Sequence, residues 1–107
     1  MPRRKAGLAT IDFVGELTIK SVCDLREKLL ESLGGSREVR ANISSDIIID
    51  ITFLQLVESA RRTAREVGCD FRLAAPAAGP LLETLNRGGF LAAPEQREFW
   101  LMQSEDR

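Results

Sequence analysis

The segment Ile47–Leu56 constrains the fold most, because a strand-like apolar run changes there into helical spacing. The three consecutive isoleucines before Asp50 are typical of a buried strand. Beyond Asp50, apolar residues recur at steps of three and four, as on one face of a helix: Phe53, Val57, Ala60, Ala64 and Val67. We therefore predict a strand-to-helix corner, with Asp50 or Thr52 as the N-cap of a helix that begins near Phe53 and stops at Gly68.

Strands and helices are predicted to alternate along most of the chain. Alternating or continuous apolar runs bounded by turn residues predict strands over 8–13, 16–19, 39–43 and 70–75. Helical spacing predicts one helix from an N-cap at Ser21 to the Gly34-Gly35 pair, and another from Pro80 to Gly88-Gly89. The apolar segment Phe99–Met102 is predicted to be a last strand or a docked terminal segment. This alternation favours an α/β fold, a mixed β-sheet with flanking helices.

The length of 107 residues predicts a single domain that can bury a core without metal or disulfide support. The domain is expected to span 1–107, with its packed part at about 8–101. The polar ends, 1–7 and 103–107, are expected to be flexible. The basic residues Arg3, Arg4 and Lys5 precede no apolar stretch of signal-peptide length, and no segment approaches a membrane span.

Charge and cysteine content narrow the function classes. A formal net charge of -1 gives no general attraction to nucleic acid or to acidic lipid, so neither nucleic-acid binding nor membrane insertion is expected. Cys23 and Cys69 stand apart with no disulfide framework around them, and we expect both to stay reduced. These observations predict a cytoplasmic protein.

The sequence does not favour an enzyme. It contains no His, which removes the commonest general base and the commonest metal ligand. Neither cysteine has the spacing of a zinc site, and neither Gly-Gly pair belongs to a phosphate-binding loop with its lysine. Asp46 and Asp50 could form a carboxylate pair for acid–base catalysis. We favour the alternative, in which Asp46 is a loop residue and Asp50 caps the helix. No catalytic residue, metal or cofactor is therefore predicted.

The order of these segments resembles the sulfate-transporter and anti-sigma-factor-antagonist (STAS) domain in its single-domain bacterial form. The resemblance extends from Phe13 to Leu101, and its members have a mixed sheet flanked by helices. Stand-alone bacterial members of that family are protein-binding regulators. The matching segments are Gly15–Thr18, Val39–Ser44, Asp50, Leu54–Leu56, Arg61–Gly68 and Ala74 to Phe90.

The family's phosphorylation motif is Asp, then Ser or Thr, one further residue, then Gly and Leu. This chain has Asp50, Ile51, Thr52, Phe53 and Leu54, so that Ile51 occupies the acceptor position and a large aromatic replaces the glycine. Ile51 has no hydroxyl, and Thr52 is the nearest possible phosphorylation site. A phosphate there would add about -1.5 to -2 charges at a helix N-terminus. The alternative, which we favour, is that Thr52 only caps or packs.

The resemblance implies a non-catalytic signalling protein that binds a partner protein through the corner at Asp50 to Leu56. The partner would be an anti-sigma factor with kinase activity or a chemotaxis-type signalling protein. The alternative function is a small subunit of a membrane lipid-transport assembly. Phe53 either packs in the core or presents an exposed apolar anchor to a partner. The basic residues Arg61, Arg62 and Arg65 either contact an acidic partner surface or are simply solvated. The candidate partner-binding residues are Asp50, Thr52, Phe53, Gln55, Arg61 and Arg62.

Overall fold

The computed structural model describes residues 6–102, and the predicted flexible ends, with Arg3, Arg4 and Lys5, lie largely outside this range. Three strands and four helices confirm the predicted α/β class. In chain order they are β1 (Ala6–Leu17), α1 (Val22–Gly35), β2 (Ser36–Ile49), α2 (Ile51–Val67), β3 (Asp70–Leu73), α3 (Gly79–Gly88) and α4 (Pro94–Leu101).

The prediction of a mixed sheet is wrong for the described residues, whose strands are all parallel. The spatial order is β1-β2-β3, and both neighbouring pairs run in the same direction. A helix connects each strand to the next, and a strand–helix–strand unit of this kind joins parallel strands. The helices α1 and α2 contact each other, as expected for two right-handed crossovers that step in one direction and leave both helices on the same face of the sheet.

The predicted turn at Gly15, which separated two short strands, is also wrong. Gly15 remains within β1 with φ at 75°, a left-handed conformation that glycine adopts at little cost. The pairing shifts there: Phe13 lies opposite Ile43, whereas Gly15 lies opposite Ile47. The additional residues of β2 form an irregularity that keeps both halves of each long strand paired.

The core lies between the sheet and the helices on one of its faces. Alternate strand residues point into it, with Ile11 and Phe13 on β1, Val39 on β2 and Phe71 on β3 among the buried positions. The intervening residues of the strands lie on an open face, where the side chains of Val14 and its neighbours are exposed. The molecule is accordingly thin, with principal extents of 45 × 40 × 18 Å.

The central helix α2 begins two residues earlier than predicted, at Ile51, with Asp50 as its N-cap. It ends as predicted before Gly68, whose φ of 74° places it in the left-handed region that terminates helices. Four of the five predicted face residues are buried: Phe53, Val57, Ala60 and Ala64. The fifth, Val67, is 40% exposed because it lies in the last turn, beyond the sheet.

The predicted strand at Phe99–Met102 is wrong, because this segment mostly belongs to the short helix α4. Pro94 occupies its first turn, and the Gln96 side chain accepts a hydrogen bond from the Ala93 N–H at 3.0 Å. Docking of the segment is confirmed, since Trp100 is fully buried. The indole therefore fixes the C-terminal helix to the domain.

Candidate protein-binding site

Two loops meet where β1 and β2 end, and Asp50 joins them. Its backbone N–H donates to the Leu17 carbonyl at 3.2 Å. One carboxylate oxygen accepts from the Thr52 N–H at 2.9 Å, and the other accepts from the Ile19 N–H at 3.1 Å. The predicted cap is thus confirmed, and the same side chain also holds the β1–α1 loop against the start of α2. Both oxygens serve structural N–H groups, which favours the capping interpretation over a carboxylate pair with Asp46.

The β1–α1 loop is ordered by short-range hydrogen bonds. Ser21 precedes α1 as predicted, but its hydroxyl does not cap the helix. It donates to the Glu16 carbonyl at 2.7 Å and accepts from the Thr18 N–H at 3.1 Å. The Thr18 hydroxyl donates to the Glu16 carboxylate at 2.9 Å. These bonds fix the turn that presents Ile19 to solvent.

Three isoleucines are exposed around this corner. Ile19 in the β1–α1 loop is 67% exposed, Ile48 at the end of β2 is 68% exposed, and Ile51 in the first turn of α2 is 44% exposed. We call these residues, together with the half-buried Thr52 and the exposed Gln55, the corner surface. Exposed large apolar side chains beside an ordered corner are a feature of protein-interaction sites.

The Ile51 side chain also lies beside the end of α3. A Cβ atom placed on Gly88 would lie 3.3 Å from Ile51 Cδ1 and 2.9 Å from the Phe90 ring. Glycine at this position therefore allows the half-buried Phe90 and Ile51 to approach the helix end closely. The apolar character of the corner surface thus extends toward α3.

Phe53 does not belong to the corner surface. Its side chain is fully buried and contacts Phe13 edge to face, with 5.3 Å between ring centroids and 67° between ring planes. Of the two roles considered for Phe53, the structure places it in the core. An exposed anchor at this position is excluded in this conformation, because its ring lies beneath the helix.

The predicted basic residues of α2 separate into two environments. The Arg61 side chain is only 13% exposed, pairs with Glu58 at 3.0 Å and lies 4.5 Å from the centroid of the Phe99 ring. Arg61 therefore packs against α4 and is not available as a free docking residue. Arg62 is exposed, and it follows Gln55 by seven residues, which places both on one side of α2.

Sequence reasoning missed Ile19 and Ile48 as site residues. Both belong to apolar runs, which were assigned to buried strands, and periodicity alone does not reveal which residues a helix will cover. Side chains alternate between the two faces of a strand, and Ile48 is exposed between the half-buried Ile47 and Ile49. This alternation is the one sequence signal that could have identified Ile48, given a sheet with helices on a single face.

Apart from the corner surface, a concave region of about 480 Å³ lies between α2, β3 and α4. Two of its three arginines are already paired, Arg61 with Glu58 and Arg72 with Asp70, whose hydrogen bond and charge raise the pKa of Arg72. Acidic residues balance the basic ones, so the cleft has no excess of positive charge to select an anion. Its lining includes Arg61, Arg65, Asp70, Phe71, Arg72, Glu95, Glu98 and Phe99.

Comparison of the chain with protein-family models and with curated protein sequences gives no match. Among residues 6–102, no helix has the length and apolar character needed to cross a membrane. No group of three or more Cys, Asp or Glu residues in the same range is arranged to hold a metal ion.

Proposed function

We propose that this protein is a non-catalytic signalling module of the anti-sigma-factor-antagonist type, and that it binds a partner protein through the corner surface. The observation that carries the proposal is the exposure of Ile19, Ile48 and Ile51 around a corner fixed by Asp50. A rigid apolar surface loses little conformational entropy on binding, which favours association.

Ile51 supports contact without chemical modification. In the resembled family, a hydroxyl residue directly after the aspartate receives the phosphate, whereas here an exposed isoleucine stands at that position. An apolar side chain there adds contact area to a docking surface and does not accept a phosphate. We therefore propose that Ile51 contributes to binding constitutively.

Replacing Ile51 with Glu is expected to abolish partner capture while leaving the fold intact. The new charge would be desolvated in the complex but remains solvated in the free protein, where surface changes alter stability by about 0.5 kcal/mol or less. Affinity capture from the native host, followed by mass spectrometry, measures the bound partner, and circular dichroism checks the fold.

The matched control is Val67→Glu, because Val67 is similarly exposed at the far end of α2. Sixteen residues of helix separate the two positions, or about 24 Å at 1.5 Å per residue. Equal partner capture by Ile51→Glu and by the unmodified protein would remove the corner surface as the binding site. Capture of lipid-transport components in place of a kinase or a chemotaxis-type protein would favour the alternative function.

Phosphorylation of Thr52 is the alternative to the purely structural role that we favour for this residue, and it has its own test. A phosphate there would lie beside the Asp50 carboxylate that accepts the Thr52 N–H, and would place about -1.5 to -2 charges next to the exposed isoleucines. We expect Thr52→Glu to reduce partner affinity, with Thr52→Val as the uncharged control. Phosphopeptide mass spectrometry of protein from the host tests the modification directly, and unmodified Thr52 while the partner kinase is active would contradict it.

A further inference from the structure

The strand β1 has an open edge. It pairs with β2 on one side, and no described strand lies on its other side. Its twelve residues contain neither the proline nor the lysine that commonly protect such edges. The opposite edge, β3, has only four residues and carries the Asp70–Arg72 ion pair, so β1 is the better template for strand addition.

The sequence of β1 is symmetric about Ile11 in its chemistry. Gly7 and Gly15 stand four residues to either side, and between them lie seven residues of strand. Leu8 and Val14, each three residues from Ile11, are 54% and 65% exposed. If a second copy of the segment is turned through 180° about Ile11, Gly7 therefore lies opposite Gly15 and Leu8 lies opposite Val14.

We propose that a second copy of this chain pairs with β1 in the antiparallel direction, with Ile11 of both copies at the two-fold axis. Leu8 of each copy would then lie opposite Val14 of the other, and Thr10 opposite Asp12. Cross-strand apolar pairs and a hydroxyl beside a carboxylate are both favourable neighbours. The product is a continuous six-stranded sheet with a closed two-fold interface.

Charge selects this register over its neighbours. Asp12 is the one charged residue between Gly7 and Gly15. A two-fold axis at Asp12 would place two carboxylates opposite each other, and an axis at Thr10 would place Asp12 against Leu8. A shift by a single residue would set exposed side chains of one copy beside core-facing side chains of the other. The axis at Ile11 avoids all three conflicts.

Disulfide trapping tests both the dimer and its register. In a Cys23→Ser background, Leu8→Cys and Val14→Cys variants are mixed in equal amounts and oxidised mildly. Opposed Cα atoms in an antiparallel pair lie about 4.5–5.5 Å apart, within the range of about 4.4–6.8 Å that a disulfide spans. We expect efficient formation of the mixed disulfide dimer. Leu8→Cys alone is the control, because its two cysteines would lie about 20 Å apart, six residues along the strand.

Sedimentation of the unmodified chain supplies the second measurement. We expect the mass to rise from one chain to two with concentration, and the Leu8→Lys/Val14→Lys variant to remain monomeric with unchanged circular dichroism. A monomer at every concentration, or crosslinking of Leu8→Cys alone as efficient as that of the mixture, would overturn the proposal. The inference does not depend on the proposed function, because it is argued from the edge and the sequence of β1 and not from the corner surface.

Discussion

Phe53→Asp is expected to unfold the protein, so that the variant fails to bind a partner because it has no fold. Phe53 is fully buried against Phe13, and removing an aromatic ring from such a site costs about 3–5 kcal/mol. A carboxylate without a partner in the core adds several kcal/mol more. The total is comparable with the entire stability of a small domain, about 5–15 kcal/mol. Urea unfolding followed by circular dichroism measures the loss.

Phe53→Leu serves as the control for this prediction. Leucine keeps an apolar side chain in the same space, and we expect a loss of about 1–2 kcal/mol with the fold retained. If Phe53→Asp unfolded at the same urea concentration as the unmodified protein, the buried position of Phe53 would be contradicted. The comparison also shows why Ile51, and not Phe53, is the informative position for partner binding.

Trp100→Ala is expected to destabilise the domain by about 3–5 kcal/mol, because the indole is fully buried and makes both a hydrogen bond and an aromatic contact. The indole N–H donates to the Glu58 carboxylate at 2.8 Å. Its ring meets Phe99 at 5.0 Å between centroids and 88° between planes. Loss of the indole removes one of the contacts between α4 and α2 and leaves the Arg61–Phe99 contact. Thermal and urea unfolding measure the change.

Trp100→Phe separates the hydrogen bond from the packing. Phenylalanine retains most of the apolar contact but has no N–H donor, and a hydrogen bond to a charged acceptor contributes about 1.5–3 kcal/mol. Glu58→Ala removes the acceptor, so the two single variants and their combination form a double-mutant cycle. A coupling free energy near zero would show that the Trp100–Glu58 bond contributes nothing to stability.

Local patterns predicted most of the helices, because helix signals act over a few residues. The steps of three and four after Asp50 indicated α2, and Gly68 was identified as its end. The short helix α4 was missed because aromatic residues at 99 and 100 favoured a strand, although Pro94 offered a helix-start signal. The direction of the strands could not be predicted from local patterns. Gly15 is compatible either with a turn between two short strands or with an irregularity inside one long strand, and only the second applies here.

The candidate site was predicted in part. Asp50 is the cap, Gln55 and Arg62 are exposed on α2, and Thr52 is half-buried at the corner. Phe53 and Arg61 are the corrections, one enclosed by the core and the other held by Glu58 and Phe99. Phe13 and Phe99, which contact Phe53 and Arg61, are distant from α2 in sequence, so no pattern around the helix records these contacts.

The order of the residues was enough to predict the alternation of strands and helices, a helix cap at Asp50 or Thr52 and the lack of an acceptor hydroxyl at Ile51. These properties depend on neighbouring residues and on side-chain chemistry. The three-dimensional arrangement was needed to show that the described strands are parallel, that no described strand pairs with the outer edge of β1, and that Ile19, Ile48 and Ile51 are each exposed near Asp50. Burial is set by which elements pack over a residue, and these elements come from distant parts of the chain.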